Sequence, residues 1–329
     1  MSETQGVRQS TRASPTFPCS LDDVLGEADT RFFGDGYRHV RYEIDRPTTV
    51  DHSSERINAI GRVIIPPSQH VDPVDEGDTT HLSSVDAIAL PVLAYQRSVP
   101  PGLSMDRNWY IAALDLRGGS SPWLDVGRVP TSLSVSREAA HVLNITSRTG
   151  SLRSTLQLRS LSMRSKDPDQ AAGIEASTVA PLNVYGEAFR HIRHTATITR
   201  FDHDRAELSA EHRLWVDTDG PRPLNGLESS FWPALSMIDH LVMHGQLLQA
   251  VICTAHEIDR EQMGNMWMRQ VRIHIVGPPT PVPAALSTRT RIIDDRVLDR
   301  AGQRIHDITI ESDSSIGVGG VAKVAYIEG

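Results

Sequence analysis

The stretch Pro233-Ala-Leu-Ser-Met-Ile-Asp-His-Leu-Val-Met-His-Gly-Gln-Leu-Leu-Gln-Ala-Val-Ile-Cys-Thr-Ala-His256 decides the fold. Its apolar residues recur at intervals of three and four, which places them on one face of a helix. They are Leu235, Ile238, Val242, Leu248 and Ile252, together with Gly245. Pro233 suits the first turn of this helix, and Ser229 or Ser230 is the expected N-cap. The sequence therefore predicts one long helix with a broad buried face.

Strand-like runs lie on both sides of this helix. Before it, every second residue from Leu208 to Val216 fits a strand with one face toward a core. After it come four runs, at about 267–276, 284–298, 304–310 and 318–327, separated by turn signals such as Val276-Gly-Pro-Pro. One helix followed by an antiparallel meander predicts a hot-dog fold, in which the sheet wraps the helix.

The same plan occurs twice along the chain. Gly36-Tyr-Arg-His-Val-Arg-Tyr matches Ala188-Phe-Arg-His-Ile-Arg-His at a separation of 152 residues (188 − 36). Farther along, Asp86 matches Asp239 at a separation of 153 (239 − 86), inside segments that both have helical spacing. Matches that keep their order and nearly the same spacing indicate an internal duplication.

The first copy has its predicted helix near 80–97. Strands are predicted near 37–45 and 55–65 before that helix, and near 109–117, 128–136, 139–146 and 151–160 after it. The predicted fold is α+β, a tandem (double) hot-dog with one central helix in each half. We expect a disordered tail at 1–20, an N-terminal hot-dog domain at 21–163, a linker at 164–179 and a C-terminal hot-dog domain at 180–329.

Composition excludes several classes of protein. The 329 residues are 39% apolar and carry a formal net charge of −8 without a long basic run, so no nucleic-acid partner is expected. The chain contains only two cysteines, Cys19 and Cys253, which fits a reducing, cytoplasmic setting. The N-terminal residues lack the apolar core of a signal peptide, and no run of about 18 apolar residues is present, so no membrane partner is expected.

Common cofactor and nucleophile motifs are missing from the sequence. It contains no GxSxG elbow, no GxxxxGK[ST] phosphate loop and no GxGxxG motif that opens a βαβ unit. The nearest glycine cluster, Ile316-Gly-Val-Gly-Gly-Val, enters a predicted strand and fits a bulge or a tight backbone approach. We therefore expect no cofactor.

Three segments of the chain resemble a known family. They are Leu21-Asp-Asp-Val-Leu-Gly-Glu, Arg31-Phe-Phe-Gly-Asp-Gly-Tyr-Arg-His-Val-Arg-Tyr and Phe231-Trp-Pro-Ala-Leu-Ser-Met-Ile-Asp-His. The first two resemble the opening of the avirulence protein D (AvrD) family, and the third is similar to a later segment of it. The likeness runs over most of the chain after the tail.

This resemblance implies acyl transfer. The AvrD family is associated with syringolide-type acyl glycoside signals, in which a β-ketoacyl chain is joined to a pentulose. The tandem hot-dog layout is also similar to that of the A-factor biosynthesis proteins, which join a β-ketoacyl group to a small phosphorylated triol precursor. The implied partners are an acyl-carrier-protein or CoA thioester and a sugar or sugar-phosphate acceptor. Neither family supplies a catalytic motif that can be placed on this chain.

The first candidate catalytic residues are Asp239 and its repeat partner Asp86. By analogy with other hot-dog enzymes, a polar residue near the start of the central helix faces the acyl groove. A carboxylate there can take a proton from an attacking hydroxyl, and amides near Ile238 can receive the developing oxyanion. The structural alternative is that both aspartates stabilise the positive ends of their helices.

Three histidines distinguish the second copy from the first. His240 and His244 replace Ala87 and Pro91, and His212 replaces Gly61. A neutral imidazole suits general-base catalysis near pH 7. The alternative is that these histidines only satisfy hydrogen-bond partners in the interior. No third ligand with a recognisable spacing accompanies them, so no metal is expected.

Candidate substrate-binding residues are Arg38, Arg190, Arg193 and Gln249. Arginines that recur in both copies can hold a carrier phosphate or a sugar phosphate with two hydrogen bonds. Salt bridges within the chain are the alternative. Gln249, which matches Gln96, lies beside the buried helix face and either binds substrate or ties the helix to the sheet.

The leading hypothesis is an enzyme that transfers a β-ketoacyl group from a thioester to a sugar-like hydroxyl. Two alternatives remain open. The first alternative is a hot-dog thioesterase or hydroxyacyl dehydratase. The second is a non-catalytic protein that binds acyl ligands. The acyl length, the acceptor, the carrier and the oligomeric state, with a homodimer among the options, also stay open.

Overall fold

A computed structural model describes residues 15–51, 56–66, 80–99, 108–161, 182–217, 224–261, 263, 266–300 and 302–328. The helices are α1 (Leu21–Leu25), α2 (Asp86–Ser98) and α3 (Met237–His256). The strands are β1 (Cys19–Ser20), β2 (Arg41–Ile44), β3 (Thr48–Asp51), β4 (Arg56–Ile64), β5 (Trp109–Arg117), β6 (Val129–Ala139), β7 (Val142–Thr149), β8 (Leu152–Ser160), β9 (Leu182–Asn183), β10 (Ile192–Asp202), β11 (Glu207–Val216), β12 (Leu224–Asn225), β13 (Trp267–Ile275), β14 (Ala284–Arg300), β15 (Gln303–Ser314) and β16 (Val318–Ile327).

Fourteen of these strands form one antiparallel sheet. Its order is β1-β10-β11-β14-β15-β16-β13-β5-β8-β7-β6-β4-β2, and β3 pairs with β4. Strands β5 and β13 meet at the centre, where Leu114 lies opposite Ile273. From this pair outward, the strands follow one another in the same sequence order on both sides. The expected large antiparallel sheet with few helices is confirmed, and its order is consistent with a tandem hot-dog.

Each long helix packs apolar residues against the sheet of its own half, and the first turns of α3 also belong to the first-half core. In α2, Ile88, Leu90 and Val92 are fully buried. They share a core with inward-facing residues of β4, β6, β7 and β8. In α3, Val251 and Ile252 are also fully buried and pack against strands of the second half. The alternating apolar residues of the strands and the apolar residues three or four apart on the helices thus face each other and form the core of each half.

The start of α3 differs from the sequence prediction. Ser236, rather than Ser229 or Ser230, is the N-cap, and Pro233 lies before the helix. Ala234 forms a β-bridge with Pro281, and the Leu235 amide donates to the carbonyl of Thr280 at 2.9 Å. These contacts hold the chain extended until Ser236, where a Ser-x-x-Asp capping box can begin the helix.

The N-terminal segment packs on the second half of the chain. Cys19 pairs with Ile198 of β10, and Leu21 and Leu25 of α1 belong to the second-half core. Phe17 also lies beside the ring of Phe201 at a centroid distance of 6.4 Å. The predicted tail boundary at residue 20 is therefore too late, because apolar side chains and a free strand edge bind residues 17–20. The rest of the predicted tail, 1–14, and the predicted linker, 164–179, lie outside the described residues.

The repeated Arg-His motif also differs from its prediction. Residues Gly36–His39 form a 3-10 turn instead of the first part of the strand predicted near 37–45, and Ala188–His191 form the matching 3-10 turn. The strands that follow begin at Arg41 and Ile192. Because a turn ends each motif before its strand, the two motifs can approach each other rather than joining the sheet. None of the helices in the described ranges is long and apolar enough to cross a membrane.

Candidate active site

The two Arg-His motifs meet between the halves. Tyr37 and Phe189, which occupy matching positions, are fully buried and stack at a centroid distance of 6.1 Å. Arg38 reaches from the first half to donate to the carbonyl of Ile192 at 2.7 Å, and it also pairs with Asp35 at 2.5 Å. A buried guanidinium therefore lies at the junction, close enough to influence Asp239 electrostatically.

Asp239 holds the start of α3. Its Oδ2 accepts hydrogen bonds from the Ser236 amide at 2.8 Å and from the Ser236 hydroxyl at 2.7 Å. Burial raises the pKa of Asp239 to about 6, although these hydrogen bonds and Arg38 oppose the increase. The Asp239 amide lies 3.4 Å from the Ser236 hydroxyl, which accepts from it. This amide is therefore engaged in the cap rather than open to an oxyanion.

Asp86 has the matching role at the start of α2. It accepts from the Ser83 amide at 2.7 Å and from the Tyr42 hydroxyl at 2.8 Å. Burial raises its pKa as well. Both aspartates are thus buried helix-start residues, and the geometry supports the structural alternative for each.

Glu228 is a buried carboxyl group that the sequence analysis missed. Its Oε1 accepts from the amide of Ile111 in the first half at 2.8 Å and from the Tyr185 hydroxyl at 2.7 Å. Burial raises its pKa to about 8, with a smaller contribution from the charge of Asp239. Glu228 lies in a loop and has a positive φ of 65°. Loop residues show no periodic pattern that would predict burial. The apolar neighbour Leu227 is the one local indication that this loop is buried.

A row of polar side chains crosses the interior of the second half. His212 lies between His194, at 2.7 Å from its Nδ1, and Thr288, at 2.7 Å from its Nε2. The imidazole of His212 is buried as expected, and burial lowers its pKa to about 2. His194 is the repeat counterpart of Tyr42, so an imidazole replaces a phenol at this position of the second copy.

His244 belongs to a neighbouring set of polar groups. Its Nδ1 lies 2.7 Å from the hydroxyl of Ser312, which in turn lies 2.7 Å from the hydroxyl of Thr290. The other ring nitrogen, Nε2, is buried and has no hydrogen-bond partner among the described residues. Burial lowers the pKa of His244 to about 4, so its imidazole is neutral at pH 7. One nitrogen is thus held in place while the other is unpaired.

His244 also lines an apolar cavity of ≈ 70 Å³. By this measure a single water needs about 10–15 Å³, so the cavity has room for part of a ligand. Leu241 and Leu248 of α3 line it beside His244, Phe33 and Ser84 reach it from the first half, and β13, β15 and β16 supply the remaining wall. The cavity therefore combines an apolar lining with one imidazole side chain, a combination common in ligand sites.

His240 lies in the interior without a polar partner. Its side chain is fully buried, and neither ring nitrogen has a hydrogen-bond partner in the described part of the chain. Burial lowers its pKa to about 3. In the same part of the chain, no hydrogen bond joins His240, His244 or His212 to Asp239. The four residues predicted as one catalytic group thus form a capping carboxylate and a separate set of imidazoles.

At the described positions that match His212, His240 and His244, the first half has no histidine. Where the second half has His212, a Cβ added to Gly61 would lie 2.7 Å from the side chain of Leu90. Ala87 and Pro91 take the positions of His240 and His244, and both are buried. Apolar packing therefore fills this region of the first half.

The predicted substrate-binding residues Arg190 and Arg193 make hydrogen bonds or ion pairs within the chain. Arg190 donates to the carbonyl of Gly186 at 2.6 Å, and its Nε is buried without a partner among the described residues, as is the Nε of Arg38. Arg193 forms ion pairs with Asp217 at 2.5 Å and Asp35 at 3.0 Å. Gln249 is only half-buried, whereas the neighbouring Gln246 is buried. Gln246 accepts from the Arg31 guanidinium at 3.0 Å.

A second concave surface, of ≈ 620 Å³, lies on the sheet of the first half. Four exposed arginines line it: Arg56, Arg117, Arg148 and Arg153. Asp115 is the one carboxylate among its described lining residues. The surface is therefore basic, in contrast to the net negative charge of the chain.

The described fold and site define an α+β protein with a large antiparallel sheet and a buried imidazole at an apolar cavity. The chain belongs to the AvrD family, described as Pseudomonas avirulence D protein, whose pattern matches residues 16–326. The resemblance found in the sequence is thus confirmed. No curated protein shows significant sequence similarity to the chain.

Several solved structures follow a similar course. The tesB protein from Mycobacterium avium subs paratuberculosis is 10% identical, with 85% of this chain and 95% of that chain covered and a TM-score of 0.42. The acyl-CoA thioesterase II TesB2 from Mycobacterium marinum is 9% identical, with coverages of 85% and 94% and a TM-score of 0.41. The dehydratase domain of RzxB from Pseudomonas fluorescens is 13% identical, with coverages of 85% and 96% and a TM-score of 0.37. Similarities this distant carry no information about activity.

Proposed function

We propose that the chain is a tandem hot-dog acyltransferase. It joins a β-ketoacyl group, delivered as a carrier-protein or CoA thioester, to a sugar-like hydroxyl during synthesis of a syringolide- or butenolide-type metabolite. Membership of the AvrD family supports a role in syringolide-type synthesis. The observation that carries the proposal is His244, whose side chain lines an apolar cavity and whose buried Nε2 has no hydrogen-bond partner among the described residues.

In this mechanism His244 is the general base. The acceptor hydroxyl oxygen attacks the thioester carbonyl carbon while Nε2 takes the hydroxyl proton. The tetrahedral intermediate then expels the thiol by breaking the carbon–sulfur bond, and the imidazolium returns the proton to the departing sulfur. Ser312 holds Nδ1 and thereby fixes the direction of the ring. The resting imidazole is neutral, and in the tautomer whose Nδ1–H donates to Ser312 its Nε2 carries the lone pair that takes the proton.

The other predicted residues support this base. Asp239 fixes the start of α3, the helix that carries His244. His212 is a second neutral imidazole, because burial lowers its pKa and the charges of His194 and His244 would lower it further. Arg38 and Arg190 each keep one buried Nε–H without a partner among the described residues, so each has a donor to offer to a substrate oxygen.

The arginine-lined surface of the first half fits the donor. Carrier-protein and CoA thioesters both present phosphate groups, which arginine binds with paired hydrogen bonds. The exposed position of this arginine-lined surface suits a large carrier that remains outside the protein while the acyl chain enters. The free thiols of Cys19 and Cys253 support our proposal of a reducing, cytoplasmic setting for the reaction.

Hydrolysis and dehydration of acyl thioesters are the competing reactions. Both also need one base, and water would take the place of the sugar hydroxyl in hydrolysis. A non-catalytic acyl-binding role would be favoured if both helix-start aspartates were solvent-facing caps. Both aspartates cap, but both are buried. A buried imidazole with an unpaired nitrogen also remains, and this feature favours proton transfer.

Product analysis separates these reactions. The purified chain is incubated with a β-ketoacyl-CoA or β-ketoacyl-carrier thioester and a pentulose, and the products are identified by mass spectrometry. We expect an ester of the β-ketoacyl group with the sugar, together with one equivalent of free thiol. Free β-keto acid as the sole product would identify a thioesterase. An intact thioester with a bound complex would identify a binding protein.

A further inference from the structure

A second group of histidines lies at the opposite end of α3 from its cap. His256 is the last residue of α3, Asp295 lies on β14 and His306 lies on β15. His256 Nε2 is 3.0 Å from Asp295 Oδ2, and His306 Nδ1 is 3.2 Å from Asp295 Oδ1. At about 1.5 Å per helical residue, His256 is roughly 18 Å along the helix from His244, so this group is separate from the candidate active site.

The three side chains converge on one point. One ligand atom from each, an imidazole nitrogen or a carboxylate oxygen, lies within 4.8 Å of the other two. The His256 and His306 rings have a centroid distance of 4.9 Å. Asp295 is 27% exposed while His306 is only 10% exposed, so the group is shielded on one side and accessible on the other.

The outer nitrogens of both imidazoles face oxygen atoms. His256 Nδ1 bonds to the Tyr326 hydroxyl, and His306 Nε2 lies 3.6 Å from a carboxylate oxygen of Glu328. The Tyr326 ring also stacks on His306 at 4.8 Å. Metal-ligating histidines usually present one nitrogen to the ion and the other to an oxygen that fixes the ring. The three potential ligands lie on the end of α3 and on two strands, and Tyr326 and Glu328 help to orient the two imidazole rings.

We propose that His256 Nε2, Asp295 and His306 Nδ1 form a binding site for a divalent transition metal, with zinc as the best match. Two imidazole nitrogens and one carboxylate form a donor set that Zn²⁺ uses, whereas Ca²⁺ and Mg²⁺ prefer oxygen ligands alone. Three protein ligands leave one position for water or a further ligand. The ion would fasten the C-terminal end of α3 to the β14–β15 hairpin, and its binding would stabilise the folded chain.

Zinc titration of the chelator-treated full chain tests this site. We expect one equivalent of Zn²⁺ to bind tightly and to raise the melting temperature. His256→Gln and His306→Gln should each weaken this binding by more than about 100-fold, and Tyr326→Phe should weaken it by about 10-fold. Asp295→Asn, which removes the carboxylate but keeps nearly the same side-chain shape, should also weaken zinc binding. Circular dichroism without metal checks that each variant folds.

The control is His141→Gln, which removes an exposed histidine from a strand turn elsewhere. This variant should bind zinc like the wild-type chain. The chain has 14 histidines, so weak binding elsewhere is expected. Equal zinc affinity in the wild type and in folded His256→Gln and His306→Gln variants would overturn the proposal. So would the absence of tight binding by the wild type, because the cluster would then be a hydrogen-bonded clasp only.

Discussion

Tyr37 and Phe189 stack face to face, with 16° between their ring planes, and they occupy the same position in the two repeats. The motif that reveals the duplication is therefore also the point where the two copies touch. Arg38, beside Tyr37, donates across this junction to Ile192. The repeated motif thus joins the two halves. Any role of its arginines in binding substrate is additional to this structural contact.

Removal of either ring should weaken the junction strongly. Because both side chains are fully buried, Phe189→Ala and Tyr37→Ala should each lower the free energy of unfolding by about 3–5 kcal/mol. Tyr37→Phe, which keeps the ring, serves as the control and should cost much less. Urea denaturation followed by circular dichroism measures all three. A cost below about 1 kcal/mol for both alanine variants would show that the junction is held elsewhere.

Asp239→Asn and Asp86→Asn test our assignment of the two aspartates. An asparagine oxygen can still accept the serine hydrogen bonds, so both variants should fold and lose no more than about 1–2 kcal/mol. If His244 is the base, acyl-sugar turnover of Asp239→Asn should fall less than about 10-fold. A loss of roughly 100-fold or more in Asp239→Asn alone, with stability retained, would return the role of base to Asp239.

Glu228 should make stability fall as the pH rises. Its pKa increases from 4.5 to about 8 on folding, so between these values the folded chain retains a proton that the unfolded chain has released. This group alone should reduce the free energy of unfolding by at most about 1.4 kcal/mol per pH unit in that window. Its contribution is fully present below pH 4.5 and is lost by pH 8.

Glu228→Gln removes this titration while it keeps an acceptor for Ile111 and Tyr185. Urea unfolding at several pH values should give a flatter profile for the variant than for the wild type between pH 5 and 8. Identical slopes for the two proteins would mean that Glu228 ionises normally in the folded chain.

His240→Leu should stabilise the chain. The imidazole of His240 is buried without a polar partner in the described residues, and such a group costs about 1–3 kcal/mol. The pKa of His240 falls from 6.5 to about 3 on folding, so the unfolded chain binds the extra proton between these values. The wild type should therefore lose stability as the pH drops below 6.5, and the leucine variant should lose less. A destabilised leucine variant at pH 7 would reveal an undetected partner for His240.

The large elements of this fold follow directly from sequence periodicity. The strand predicted at 109–117 and the one predicted at 318–327 coincide with β5 and β16. Alternation and helical spacing report burial of regular elements, and these signals are strong when a whole face is apolar. The start of α3 was missed because a bridge between Ala234 and Pro281, distant in sequence, decides where the helix begins.

The candidate site was only partly predictable for a related reason. Comparison of the two copies identified His244, His240 and His212 as polar gains, and all three are buried. Ser312 and Thr288, the partners of His244 and His212, come from strands more than 60 residues later, and ordinary hydroxyl residues carry no signal of such pairing. Local spacing therefore predicted candidate residues, whereas the tertiary fold determines which of them meet.

The rate of acyl-sugar formation by His244→Ala tests whether His244 is the general base. Loss of a general base typically reduces turnover by about 10²- to 10⁴-fold. We expect a loss in this range for folded His244→Ala, with nearly wild-type turnover for the control His141→Ala. Turnover of His244→Ala within a few-fold of the wild type would show that His244 has no part in proton transfer.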